Sequence, residues 1–231
     1  MVYVPYAPIL PFLLVLILPL VYVLLRKKDQ LKPIIAIIVC SIVTVILYPL
    51  TTVLSQSSPL FGYTIGKFII FVFLPILTIF YLERSSLNSL KDILAKIGVH
   101  KTNMKKSVAY GLIAACVTIA ITTVIIQTSQ FDALHQTIMF FESFTEEFFF
   151  RGFLFLYLLS KIKSFKIAFT TSILAFIFAH PQHFISPFLI STAAQAILMT
   201  IVTHKTKNIT GPWIGHGLNR VVPALIRSFL G

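Results

Sequence analysis

The chain has 231 residues, of which 57% are hydrophobic and only 11% are charged. A soluble domain typically has about 45–50% apolar and about 25% charged residues, so this composition excludes an ordinary water-facing protein and predicts a lipid environment. The net charge of +12 does not indicate nucleic-acid binding, because the cations lie in short loops rather than on one basic face. Cys40 and Cys116 lie in apolar runs and indicate no disulfide framework.

Eight apolar runs approach the length of about 20 residues that a membrane-spanning helix needs. They cover residues 5–25, 33–54, 60–82, 108–126, 138–160, 165–180, 186–203 and 209–230. The first run is not expected to be a signal peptide, because its basic residues follow it rather than precede it. The predicted fold class is therefore all-α, a polytopic membrane helical bundle of about eight transmembrane helices, with 1–231 as a single integral membrane domain.

The positions of the basic residues predict the orientation of these spans. The loops after the first, third, fifth and seventh spans, counted with Lys166 at the start of the sixth span, hold 15 of the 19 Lys and Arg residues, and the even loops hold none. Since cytoplasmic loops are enriched in Lys and Arg, the odd loops are expected to be cytoplasmic in a multi-pass protein of the cell membrane. The other four cations lie within spans and are Lys67, Arg151, Arg220 and Arg227.

The long loop over residues 83–107 has a helical pattern of its own. Leu87, Leu90, Leu94 and Ile97 recur at helical spacing among charged residues. This pattern favours a short basic helix lying on the inner membrane surface. A solvated connector is the alternative that the sequence leaves open.

The fifth predicted span carries four ionisable residues, although each such group costs about 2.5–3.5 kcal/mol at mid-bilayer on insertion scales. They are therefore expected to face the protein interior or a wet cavity. Glu147 and Arg151 are four residues apart on one helix face and predict an ion pair. Glu146 points about 100° away from Glu147, which leaves it available as a general base or acid. Glu142, one turn nearer the helix end, is expected to be solvated. A structural ion-pair network is the alternative.

The sixth and eighth predicted spans add further polar residues. Phe176-x-x-x-His180 ends the sixth span, and Pro181 disfavours helical geometry at His180, so the helix is expected to break there and present the imidazole. In the eighth span, His216 and Asn219 are three residues apart and share a face. A lone histidine is more often a satisfied core residue, but three polar interruptions in consecutive motifs form a more specific pattern.

On these motifs the sequence resembles the CAAX protease and bacteriocin-processing family, also called the ABI or type II CAAX prenyl endopeptidase family. The matching elements are Glu146-Glu147-x-x-x-Arg151-Gly152, Phe176-x-x-x-His180, and His216 with a downstream Asn. The resemblance covers roughly residues 138–225. It implies an eight-helix intramembrane bundle that hydrolyses peptides without a covalent enzyme intermediate, without a cofactor and without a metal.

The resemblance also implies a role for each matching residue. Glu146 would activate water, and His180 would help to hold that water. His216 and the following Asn would stabilise the oxyanion, and Glu147 with Arg151 would support the site.

The third motif departs from the family pattern, which places Asn four residues after the histidine. Arg220 occupies that position here, and Asn219 stands one residue earlier. We expect the neutral Asn219 to be the oxyanion donor and Arg220 to point toward the outer interface or toward a lipid or substrate carboxylate. The alternative is that Arg220 supplies the donor.

The sequence therefore predicts an intramembrane, glutamate-dependent endopeptidase that cleaves the C-terminal tail of prenylated CAAX-type or related membrane-bound peptides. Its expected partners are the lipid bilayer and a prenylated or hydrophobic peptide, with no nucleic acid. Bacteriocin processing or immunity, a catalytically silent scaffold and a proton-coupled carrier are alternatives. A metal-dependent hydrolase, with Glu146, His180 and His216 as ligands, is another.

Overall fold

The computed structural model describes residues 10–58, 61–87, 89–126 and 131–230, and within these ranges all regular structure is helical. This confirms the predicted all-α membrane bundle. The helices are α1 (Phe12–Arg26), α2 (Lys28–Leu47), α3 (Pro49–Ser57), α4 (Gly62–Glu83), α5 (Leu90–Lys96), α6 (Met104–Ile125), α7 (Ala133–Glu147, Phe148–Tyr157 and Leu158–Ile162), α8 (Phe165–Phe178), α9 (Phe188–Thr206) and α10 (Thr210–Leu230).

Each predicted span corresponds to a helix, although residues 5–9 lie outside the described ranges. In the described part of the chain, α2, α4, α6 and α9 are long and apolar enough to cross a membrane, and α1 and α8 are shorter apolar helices. The predicted second span continues beyond Tyr48 as the separate helix α3, which starts with Pro49 in its first turn. The number of eight crossings stays a prediction.

The basic loops meet at one end of the bundle. Glu83, at the end of α4, pairs with Lys96 of the long loop and with Lys161 at 2.5 Å. His100 donates through Nε2 to the backbone oxygen of Lys207 at 2.9 Å. The loops after the third, fifth and seventh predicted spans therefore lie together, as a common side for the odd loops requires.

The long loop contains the helix that its apolar pattern indicated. In α5, the Ser89 amide donates to the Asp92 carboxylate at 2.9 Å, which satisfies an N-terminal backbone donor. Ile93 and the adjoining Ile97 are buried, whereas Leu90 is exposed. Leu87 and Leu94 are partly buried against the same core, so the helix packs onto the bundle through most of the predicted apolar residues and Ile93. Its position on the membrane surface stays a prediction.

Two π-helical segments lie where ionisable residues enter the core. One covers Phe148–Tyr157 directly after Glu147, and all of its residues are buried; the other covers Ile69–Phe73 in α4. The rings of Phe71 and Phe149 contact each other across the two segments, with centroids 5.0 Å apart. A π-helical turn changes the direction in which the following side chains point. The contact between Phe71 and Phe149 joins the two segments and so helps to set how α4 and α7 face each other.

Close helix contacts hold α10 in place. A Cβ atom at Gly211 would lie 1.9 Å from the backbone oxygen of Ser107, and one at Gly215 would lie 2.8 Å from that of Gly111. Only glycine permits α6 and α10 to approach this closely. The packing places His216, the next residue, against α7.

Cysteine labelling tests the orientation. Ser57 and Lys163 are both exposed. Ser57 follows the second predicted span and Lys163 follows the fifth, so the predicted topology puts them on opposite sides of the membrane. With Cys40 and Cys116 replaced by alanine, a membrane-impermeant maleimide added to intact cells should label Ser57→Cys, and Lys163→Cys should react only after lysis, because the odd loops are predicted to be cytoplasmic. Equal labelling of both positions in intact cells would refute the predicted topology.

Candidate active site

Glu146 lies at the centre of the residues singled out by the sequence motifs. Its Oε2 atom is 3.7 Å from His180 Nε2 and 3.8 Å from His216 Nε2. Among the described residues, no hydrogen-bond partner contacts this oxygen, and the side chain is buried. Three helical regions distant in sequence thus converge on one carboxylate oxygen that keeps its acceptor capacity.

Both imidazoles are held so that Nε2 points toward Glu146. His180 follows the end of α8 with non-helical backbone angles (φ −123°), which confirms the predicted break before Pro181. Its Nδ1 donates to the backbone oxygen of Phe176 at 2.8 Å. His216 directs Nδ1 to Glu147 Oε1 at 2.8 Å. Since the carbonyl and the carboxylate both accept, each ring carries its proton on Nδ1, and a neutral ring then offers Nε2 as an acceptor.

The predicted ion pair between Glu147 and Arg151 is confirmed. Arg151 Nη1 donates to Glu147 Oε1 at 3.0 Å, and both side chains are fully buried. The guanidinium group lies 4.1 Å from the centroid of the Phe176 ring, a cation–π contact. Arg151 also contacts the backbone oxygen of Gln195. This pair joins α7, α8 and α9 and orients His216.

A second charged group surrounds the other oxygen of Glu146. Lys67 pairs with both Glu142 and Glu146, and so does Arg220, whose Nη2 is 2.8 Å from Glu146 Oε1. The prediction that Glu142 is solvated is wrong, because two cations from α4 and α10 cover it completely. The predicted outward direction of Arg220 is also wrong, because the two carboxylates draw its guanidinium group inward.

Asn219 is held in a polar network beside the two histidines. Its Nδ2 donates to Gln195 Oε1 at 2.6 Å, and its Oδ1 accepts from Thr122 Oγ1 at 2.9 Å. Thr122 in turn lies 2.5 Å from Ser191 Oγ. These contacts fix the orientation of the amide and leave one Nδ2 hydrogen for another acceptor.

Two cavities adjoin the site. The main cavity, of about 360 Å³, is lined by His180, His216, Asn219 and Arg220, and its other polar lining residues are Thr122, His135, Gln136, Gln182, His183, Ser191, Thr192 and Gln195. The side cavity, of about 180 Å³, is lined by Lys67, Glu146, His180, Arg220 and the two tyrosines Tyr48 and Tyr63. Glu146 lines the side cavity only, whereas His180, Gln182 and Arg220 line both cavities.

The described residues include no cluster of three or more His, Cys, Asp or Glu side chains with metal-binding geometry. This holds for Glu146, His180 and His216, the three ligands of the metal-hydrolase alternative. The donor set itself, a carboxylate with two imidazoles, is one that zinc accepts. A chelator experiment is therefore the relevant test of that alternative.

Two residues of this arrangement have no place in the sequence motifs. From the sequence, Lys67 is identifiable only as a cation within a span, and no motif marks Gln195 as a site residue. A lysine in a membrane span is by default a functional candidate that must find a partner inside the protein. That signal was available for Lys67, but only the packing of α4 against α7 reveals its partners.

The fold and the site together define a helical membrane protein with a buried glutamate and two histidines at the wall of a cavity. Residues 128–222 match the family described as type II CAAX prenyl endopeptidase, Rce1-like. The match includes all three motifs and confirms the predicted resemblance to the CAAX protease family, which supports a membrane endopeptidase at the level of the family. No curated protein and no solved structure matches the chain.

The buried ion pair gives a stability prediction. Glu147→Gln should lower the free energy of unfolding by about 3–5 kcal/mol, because it leaves Arg151 charged and buried without its carboxylate. Thermal unfolding in detergent micelles measures this change. Lys96→Met is the matched control: it breaks a pair whose lysine is 36% exposed, and exposed pairs contribute only about 0–1 kcal/mol. Equal small losses in both variants would contradict a structural role for the Glu147–Arg151 pair.

Proposed function

We propose that this protein is an intramembrane, glutamate-dependent endopeptidase that cleaves the C-terminal tail of prenylated CAAX-type or related membrane-bound peptides. The observation that carries the proposal is the position of Glu146 Oε2. It faces two imidazole Nε2 atoms, and it makes no hydrogen bond to any other described residue. Three acceptors at these separations suit one water molecule donating to the carboxylate and to an imidazole.

The first chemical step is attack of this water on the scissile carbonyl carbon. An O–C bond forms, the carbonyl electrons move onto oxygen, and Glu146 takes the proton of the water. Glu146 then returns the proton to the leaving amine as the C–N bond breaks. No bond forms between enzyme and substrate, as the resemblance implies.

The oxyanion requires a hydrogen-bond donor at the main cavity. Asn219 has one Nδ2 hydrogen beyond its bond to Gln195 and lines the cavity. His216 lines it as well; because its Nδ1 proton is held by Glu147, it can donate to the oxyanion only with a second proton on Nε2, which comes from solvent and whose charge Glu147 balances. Arg220 is engaged by Glu142 and Glu146. We therefore assign the donor role to Asn219 and His216, and not to Arg220.

One observation favours a second candidate, which is bacteriocin processing or immunity in the same family. The main cavity is lined by His135, Gln136, Gln182 and His183, at the end of the bundle away from the basic loops. If those loops are cytoplasmic, the cavity opens toward the outer side, whereas a cytosolic prenylated tail requires an inward opening. Cleavage of a farnesylated CAAX peptide by the purified protein, compared with a non-prenylated peptide, distinguishes the two candidates.

The metal-hydrolase alternative is tested in the same assay. Strong chelators should leave the rate unchanged if Glu146 alone activates the water. Loss of activity on chelation, with recovery on addition of Zn²⁺, would favour the metal-dependent alternative.

Substitution of the base gives the first activity prediction. Glu146→Gln should lower the turnover of the farnesylated peptide by about 10²–10⁴-fold, the typical contribution of a general base. Because this change leaves Lys67 and Arg220 facing one carboxylate, thermal unfolding is measured beside turnover and the rate is compared for folded protein. Glu83→Gln is the control, since Glu83 also pairs with two lysines but lies at the other end of the bundle. Full activity of Glu146→Gln would refute the mechanism.

The oxyanion donor gives the second activity prediction. Asn219→Ala should lower turnover by about 10²–10³-fold with little change in apparent substrate affinity. Thr122→Val, which removes only the hydroxyl that orients the amide, should have a smaller effect. An unchanged turnover for Asn219→Ala would exclude its assignment as a donor.

A further inference from the structure

Four charged groups, one of them Glu146 itself, form a neutral set. Lys67 and Arg220 contribute two positive charges, and Glu142 and Glu146 contribute two negative charges, with each cation contacting both carboxylates. The neighbouring Glu147–Arg151 pair is also balanced. The site as a whole therefore carries no net charge when both imidazoles are neutral.

Lys67 is the cation of this set that is shielded from the main cavity. Its side chain is 3% exposed, and it lines only the side cavity, whereas Arg220 is 25% exposed and lines both cavities. The rings of Tyr63 and Phe71 lie 5.2 and 5.5 Å from the ammonium nitrogen. A substrate in the main cavity can therefore contact Arg220 but not Lys67.

We propose that Lys67, which lies outside the region 128–222 matched by the family, is a positioning residue for Glu146. It has two effects: it keeps Glu142 and Glu146 ionised together, and it occupies Oε1 so that Oε2 is the atom facing the imidazoles.

The physical reason is the proximity of the two carboxylates. Glu142 and Glu146 are one helical turn apart in a region of low dielectric constant, where like charges repel strongly. With Arg220 as their only shared cation, the pair would retain one uncompensated negative charge. Uptake of one proton by the pair relieves this charge, as in other carboxylate pairs that share a site. A protonated Glu146 cannot accept a proton from water.

The other groups around Glu146 do not replace Lys67. From α10 it meets Arg220 and His216, from the segment after α8 it meets His180, and on its own helix it meets Glu142 and Glu147. Arg151 already pairs with Glu147. His216 already holds Glu147 through Nδ1. No cation in the described part of the chain other than Lys67 and Arg220 forms an ion pair with Glu142 or Glu146.

The predicted effect of Lys67 on turnover rests on the proposed function. The predicted effect of Lys67 on the ionisation of Glu142 and Glu146 does not. The experiment therefore has a spectroscopic arm and a kinetic arm on the same purified proteins: wild type, Lys67→Met, Glu142→Gln and Lys67→Met/Glu142→Gln. Infrared difference spectra at neutral pH report protonated carboxyl groups through their C=O band. Lys161→Met is the matched control, since it removes a lysine from the carboxylate of Glu83 at the other end of the bundle.

Lys67→Met should gain a protonated-carboxyl band that is absent from wild type, from Lys161→Met and from the double variant, in which one cation again faces one carboxylate. Its turnover should fall by at least about tenfold with little change in KM. Adding Glu142→Gln should restore turnover to within about threefold of Glu142→Gln alone, a coupling that distinguishes charge balance from packing. If Lys67→Met does not fold, Lys67→Gln takes its place.

Absence of the new band would overturn the proposal, and so would a double variant as impaired as Lys67→Met. If wild type cleaves no peptide, the proposed function fails, and the infrared spectra alone decide whether Lys67 keeps the carboxylates ionised.

Discussion

The pairing of buried charges is the constraint on which the rest of this structure depends. Three carboxylates of α7 lie in the interior of the bundle, and Lys67, Arg151 and Arg220 neutralise them from three helices. An unpaired buried charge costs several kcal/mol, so the relative positions of α4, α7 and α10 are set by these contacts as well as by apolar packing. The same contacts occupy Oε1 of Glu146 and leave its Oε2 without a hydrogen bond to another described residue.

The two oxygens of Glu146 have separate tasks as a result. Oε1 binds the cations, and Oε2 faces the imidazoles. Aromatic rings of the two π-helical segments pack beside this arrangement, with Phe71 and Phe149 in contact. Gly152 contributes by allowing α7 to approach the end of α5, since a Cβ atom there would lie 2.9 Å from the backbone oxygen of Ile97. Gly152 of the first motif thus permits close helix packing. Glu146 of the same motif is instead the residue that we propose to activate water.

Local rules predicted the parts of the site that lie within one helix. The Glu147–Arg151 pair follows from their spacing, and the break at His180 follows from Pro181. The partners of Glu142 could not be predicted in this way, because Lys67 and Arg220 come from helices far away in the sequence. These cations neutralise Glu142 only when α4 and α10 pack against α7. α7 starts at Ala133, five residues before the predicted start at 138. Asp132 caps this earlier start, because its side chain accepts hydrogen bonds from the amides of Leu134 and His135.

An experimental structure of the wild-type protein at a resolution that shows ordered water tests the central claim most directly. The mechanism predicts one water within hydrogen-bond distance of Glu146 Oε2 and of the Nε2 atoms of His180 and His216, with Lys67 bound to Oε1. Anomalous diffraction at transition-metal edges would show no peak at this position. An anomalous peak between the three side chains, or a cation bound to Oε2 in place of water, would contradict activation of water by Glu146 alone.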